Sequence, residues 1–92
     1  MTDYDLLVEQ ASAGADIETF KNSNAGRYLY QKAEVDELAA LRKLAKADPG
    51  DKETIHRLQL EATAPRLAIQ WIEEGIRIGK LAKFTLDEAK AE

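Results

Sequence analysis

Ninety-two residues, 45% apolar and 33% charged with 17 acidic against 13 basic side chains, describe one small domain of formal charge −4. A chain this short buries roughly two-thirds of the surface its unfolded form exposes, which supports one thin core and excludes a cleft between two domains. Without a single cysteine there is no disulfide framework, no thiolate metal site and no thiol nucleophile.

No segment reaches the ~18 to 20 consecutive apolar residues of a membrane span, so no membrane contact is predicted. The opening Met1-Thr2-Asp3-Tyr4-Asp5 is acidic where a signal peptide is basic, which predicts that no leader is removed. Residues 1–23 carry five acids and one base, the middle of the chain is nearly neutral, and residues 85–92 are acidic again. The absence of a long basic stripe argues against nucleic acid as a partner.

Two prolines, five glycines and no alternating β-branched run predict an all-α fold. Thr2 with Asp5 caps a first helix over about residues 3–13, ending at Ser12-Ala13-Gly14. Asp16 then caps a short turn of helix containing Ile17 and Phe20. From about 24 to 47 runs the first arm of a long antiparallel hairpin, with Glu34, Leu38, Leu41 and Ala45 on one helical face, flanked by Tyr30, Val35 and Leu44. The turn Ala47-Asp48-Pro49-Gly50-Asp51 stops it, and Asp51 caps the second arm.

The second arm is predicted over about 52–83, with a kink near Pro65. Ile55, Leu58, Ala62, Pro65, Ile69, Ile72, Ile76 and Gly79 keep a three-four spacing, the seam against the partner arm. The arms are unequal, the N-terminal segment 1–23 packs on the hairpin, and Thr85-Leu86-Asp87-Glu88 opens a short last helix or a frayed tail within 84–92.

The feature that bears most on function is a second apolar side of this arm. Leu60, Leu67, Trp71, Ile78 and Leu81 cluster on the helical wheel nearly opposite the seam, and one partner helix cannot cover both faces. Each large side chain contributes about 1.5 to 3 kcal/mol when buried, so an open face of five forgoes much of a small domain's stability. Either the N-terminal helix folds over this face with Leu6, Leu7, Val8, Ile17 and Phe20, or another copy of the chain covers it. The unequal hairpin has little core alone, which points to a homo-oligomer, a dimer or higher.

Catalytic constellations are missing. His56 stands alone without the spacing of a metal site, and it reads as a surface histidine. Glu73 and Glu74 are neighbours pointing about 100° apart on a helix, and Glu73 with Arg77, like Glu53 with Arg57, has the i, i+4 order of a helix-supporting pair. No serine or threonine has a base to activate it. The chain is therefore read as a non-enzyme with no cofactor and no metal.

One polar cluster is a candidate for anion or nucleotide binding: Asn24, Gly26, Arg27, Tyr28 and Tyr30, at the start of the first arm. Free amides at a helix N-terminus, a glycine permitting close approach, an arginine and two tyrosines would suit a phosphate. The competing reading is structural. Ser23 or Asn24 caps the helix, Arg27 pairs with Glu18 or Glu34, and the tyrosines pack on Phe20 or Trp71.

The string Phe20-Lys21-Asn22-Ser23-Asn24-Ala25-Gly26-Arg27-Tyr28-Leu29, followed by Ala47-Asp48-Pro49-Gly50-Asp51 and by Trp71-Ile72-Glu73-Glu74-Gly75-Ile76-Arg77-Ile78-Gly79, resembles short helical-hairpin proteins of tailed bacteriophages. The resemblance spans about residues 17–83. It implies a phage protein in the host-cell cytoplasm or on the virion, and it carries no catalytic residue. A structural or assembly accessory fits the apolar second face; the alternative is a small inhibitor of a host defence or host enzyme, using the Asn24 to Tyr30 region. A phage or host protein is then a further possible partner beside the chain itself.

Overall fold

The computed structural model describes residues 2–91; Met1 and Glu92, the last residue of the expected tail, lie outside them. Three helices account for nearly all of this span: α1 (Asp3–Asn22), α2 (Asn24–Lys46) and α3 (Lys52–Ala91). The all-α hairpin expected from the sequence is what forms. Its second arm is α3, a spine of 40 residues and about 60 Å, which matches the 61 Å long axis of the molecule.

The first arm, α2, has the expected extent, and the N-terminal helix α1 is longer than expected. Both α1 and α2 pack on α3 and touch each other little. Lys21 meets Glu73 while Gly14 meets Gly79, and further along Tyr30 meets Glu73 while Ala40 lies near Glu61. Both helices thus run antiparallel to α3, one after the other, so α1 packs on the hairpin along the part of α3 that extends beyond α2. The hairpin arms are unequal, as expected: 23 residues in α2 against 40 in α3.

Helix ends follow their caps. Thr2 Oγ1 accepts the Asp5 amide at 3.1 Å, and Asp51 Oδ1 accepts the Thr54 amide at 3.1 Å. The expected break at Ser12-Ala13-Gly14 does not occur, because Gly14 is buried against α3 and tertiary contact offsets its poor helix propensity. Asp16 lies mid-helix instead of capping. The separate helix or tail over 84–92 is likewise absent: α3 runs on to Ala91, and Thr85 donates back to the Leu81 carbonyl at 3.0 Å instead of opening a capping box. Pro65 sits half-buried inside α3 without ending it.

Small residues line the helix contacts. The α3 seam read from the sequence is correct: Leu58, Ala62, Ile76 and Gly79 are buried and Ile55, Pro65, Ile69 and Ile72 half-buried. It continues through Ala82. On α2 the inward face is Ala33, Glu37, Ala40 and Leu44, whereas Leu38, Leu41 and Ala45, expected on one face with Glu34, are all exposed. On α1 the buried residue is Gly14, where a methyl group would lie 2.6 Å from the Gly79 Cα, and Ile17 beside it meets Gly75. Contacts built from glycine and alanine let backbones approach closely but leave the bulky side chains outside.

The α1–α2 joint turns on one residue. Ser23 ends α1 and starts α2: its hydroxyl donates to the Phe20 carbonyl at 2.6 Å and accepts the Gly26 amide at 3.0 Å. A side chain at Gly26 would overlap the Phe20 carbonyl oxygen, so this joint requires glycine.

Candidate interaction face

α3 presents its bulk away from its partners. Trp71 is 64% exposed, Leu60 59%, Leu81 55% and Leu67 38%, with Ile78 half-buried. The five residues proposed from the sequence therefore lie on one helix and along one side of it, and α1 does not fold over them as a lid. It lies beside them, on the seam.

Two further exposed aromatic residues lie at its edges. Ile17 and Phe20 of α1 border a wholly apolar depression of about 350 Å³ with Trp71 and Ile72 of α3, and Phe20 is itself exposed. Phe84 is exposed one turn beyond Leu81. Phe20 was legible only as a lid residue, and Phe84 falls to the side of the wheel sector that drew attention to Trp71.

At the joint, one carboxylate ties all three helices together. Glu73 Oε1 accepts from Lys21 Nζ at 2.8 Å and from the Tyr30 hydroxyl at 2.7 Å, and the Lys21 ammonium lies 4.7 Å from the centroid of the Tyr30 ring. The Lys21 hydrogen bond and then that of Tyr30 hold the Glu73 carboxyl below the usual carboxylate range. The same bond to Glu73, with partial burial and the nearby negative charge, pushes the Tyr30 phenol up to about 12. Glu73 is thus engaged across helices rather than with Arg77, and Arg57 pairs with Glu61 at 3.1 Å rather than with Glu53.

Of the anion candidates, Arg27 and Tyr30 line a depression of about 330 Å³ with Lys21, Asn22, Gln31 and Glu34. Several of their donors are engaged within the fold. Arg27 Nε and Nη2 both donate to the Asn22 carbonyl, at 3.0 and 2.8 Å, capping the end of α1 rather than pairing with Glu18 or Glu34. The Gly26 amide is taken by Ser23 Oγ and the Arg27 amide by the Ser23 carbonyl at 2.9 Å. Asn24 is exposed at the start of α2 and Tyr28 projects into solvent, away from any aromatic partner role. These bonds join the end of α1 to the start of α2.

His56 is exposed, and no group of three or more metal-ligating side chains occurs among the described residues. No helix there is long and apolar enough to cross a membrane. The chain matches no protein-family model, no curated protein and no solved structure.

Proposed function

We propose that this chain is a non-enzymatic helical interaction protein that works as a homo-oligomer and, on its resemblance to phage hairpins, serves as a structural or assembly accessory of a tailed bacteriophage. The observation that carries this reading is a surplus of surface. A compact chain of 10.2 kDa exposes about 5,300 Å², whereas this one exposes 7068 Å². Its radius of gyration is 18.4 Å against about 12 Å for a compact domain of the same length.

The surplus is apolar where it matters. Trp71, Leu60, Leu81 and Phe84 are more than half exposed, and no large side chain is fully buried among the described residues. Large apolar side chains exposed along one side of a helix support a contact site there. Light scattering tests the reading: the mass should exceed one chain, and Trp71→Glu should lower it. A single-chain mass for the unaltered protein at high concentration would refute it.

A further inference from the structure

Resting on the oligomer reading above, we propose that the partner is a second copy of this chain, docked antiparallel along the outer side of α3 about a two-fold axis passing between Trp71 and Glu74.

The outer side is a heptad in its own right. Arg57, Leu60, Ala64, Leu67 and Trp71 fall at alternating steps of three and four, and the series continues through Glu74, Ile78, Leu81, Thr85 and Glu88. Every one of these is exposed except the half-buried Ile78. A stripe of this period is matched by another helix bearing the same period, and the same stripe on a second copy meets that need.

The area fits a single such contact. The excess over a compact chain is about 1,750 Å², about 3,500 Å² for two chains, comparable to the roughly 2,000 to 5,000 Å² that an obligate homodimer buries.

Charge and volume set the direction. A parallel pair in register stacks like on like: Arg57 on Arg57, Glu74 on Glu74, Glu88 on Glu88. It also stacks Trp71 on Trp71 beside a gap between two Ala64 methyls. With the chains reversed about the proposed axis, Arg57 faces Glu88 of the second copy at each end of the stripe. Ala64 then receives Leu81, Leu67 meets Ile78, and each Glu74 lies beside the edge of the other copy's Trp71. Opposite charges meet and large residues fill small ones. The axis also brings both Trp71 side chains to the middle of the stripe, where aromatic anchors carry most of the binding energy.

Because the chain has no cysteine, introduced thiols report the register cleanly. Leu67→Cys and Ile78→Cys chains are prepared separately, checked for helical content by circular dichroism, mixed and oxidised. The mixture should give a mixed disulfide while neither chain alone links to itself, since two copies of position 67 would lie about 16 Å apart along the axis. Self-linkage of Leu67→Cys would establish a parallel pair and overturn the proposal while the oligomer reading stands. A dimer mass without any cross-link would place the contact on another face and overturn it equally. A single-chain mass would remove both readings. As a second test on exposed side chains, Arg57→Glu should weaken dimerisation about fivefold, and adding Glu88→Arg should restore it. Failure of the second change to restore association would contradict the pairing.

Discussion

Gly14 and Gly79 touch backbone to backbone: a methyl group on either would come 2.6 Å from the other's Cα. Neither helix can give way, because the obstructing atoms are main chain. Gly79→Ala gains about 1 kcal/mol of helix propensity, yet it forces α1 off α3 along the contact that holds the first helix in place. A net loss of about 1 to 3 kcal/mol is expected in chemical denaturation. Gly75→Ala is the matched control. Its methyl would meet only the flexible end of Ile17, so stability should be unchanged or slightly higher. Equal losses at both positions would show that helix separation is not set by the Gly14–Gly79 contact.

The joint at Ser23 makes a second, graded expectation. Ser23→Ala removes the cap on Gly26 and a donor to the Phe20 carbonyl, which should cost about 1 kcal/mol. Gly26→Ala should cost more, because its methyl would overlap a carbonyl oxygen whose position is fixed by the end of α1. Thermal denaturation followed by circular dichroism ranks the two. If Gly26→Ala proves the milder change, α2 must leave α1 at a wider angle than the joint geometry requires.

How much of this was legible in the sequence depends on whether contacts were made by large residues or small ones. The α3 seam was readable because Ile55, Leu58, Ile72 and Ile76 mark it with bulk at heptad spacing, and Asp51 and Thr2 marked helix starts by chemistry that acts within one turn. The α2 seam was misread because Leu38 and Leu41 are larger than Ala33 and Ala40, and bulk was taken for burial. On α1 the apolar residues lie on all sides, so no face stood out, and Gly14 had the look of a breaker. Its true role depends on Gly79, 65 residues away, which no local rule reveals. The outer stripe of α3 was found because its five large residues share one side. The hydrogen-bond partners of Arg27 and Tyr30 were not, since Arg27 caps Asn22 five residues back and Tyr30 reaches Glu73 43 residues on.

The Tyr30–Glu73 pair should be visible in a spectroscopic titration. Tyr4 and Tyr28 are exposed, whereas Tyr30 is pushed up to about 12 from an ordinary value near 10 by its bond to Glu73. One of the three tyrosines should therefore ionise late, and Glu73→Gln should bring its midpoint back toward 10. The sign for stability follows. The folded state holds this proton more tightly than the unfolded one, so the contribution is present below pH 10 and is lost as the pH rises through about 12. Glu73 has the opposite sense: its lowered value stabilises the fold above the ordinary carboxylate range, and that contribution fades as acid protonates it. Three tyrosines titrating together would contradict the bond.

Trp71 is the single tryptophan, and it stands near the middle of the uncovered stripe, 64% exposed in the isolated chain. Its emission therefore reports what covers α3. In a self-associated state the indole should emit to the blue and resist acrylamide quenching, and dilution below the dissociation constant should shift it to the red with quenching restored. Phe20→Ala opens the depression that Ile17, Phe20, Trp71 and Ile72 border; because it removes apolar surface beside Trp71, the red shift should begin at higher protein concentration. A change confined to the folded single chain would leave the concentration dependence where it was. Red, fully quenchable emission at every concentration would mean that no second molecule reaches this side of the helix.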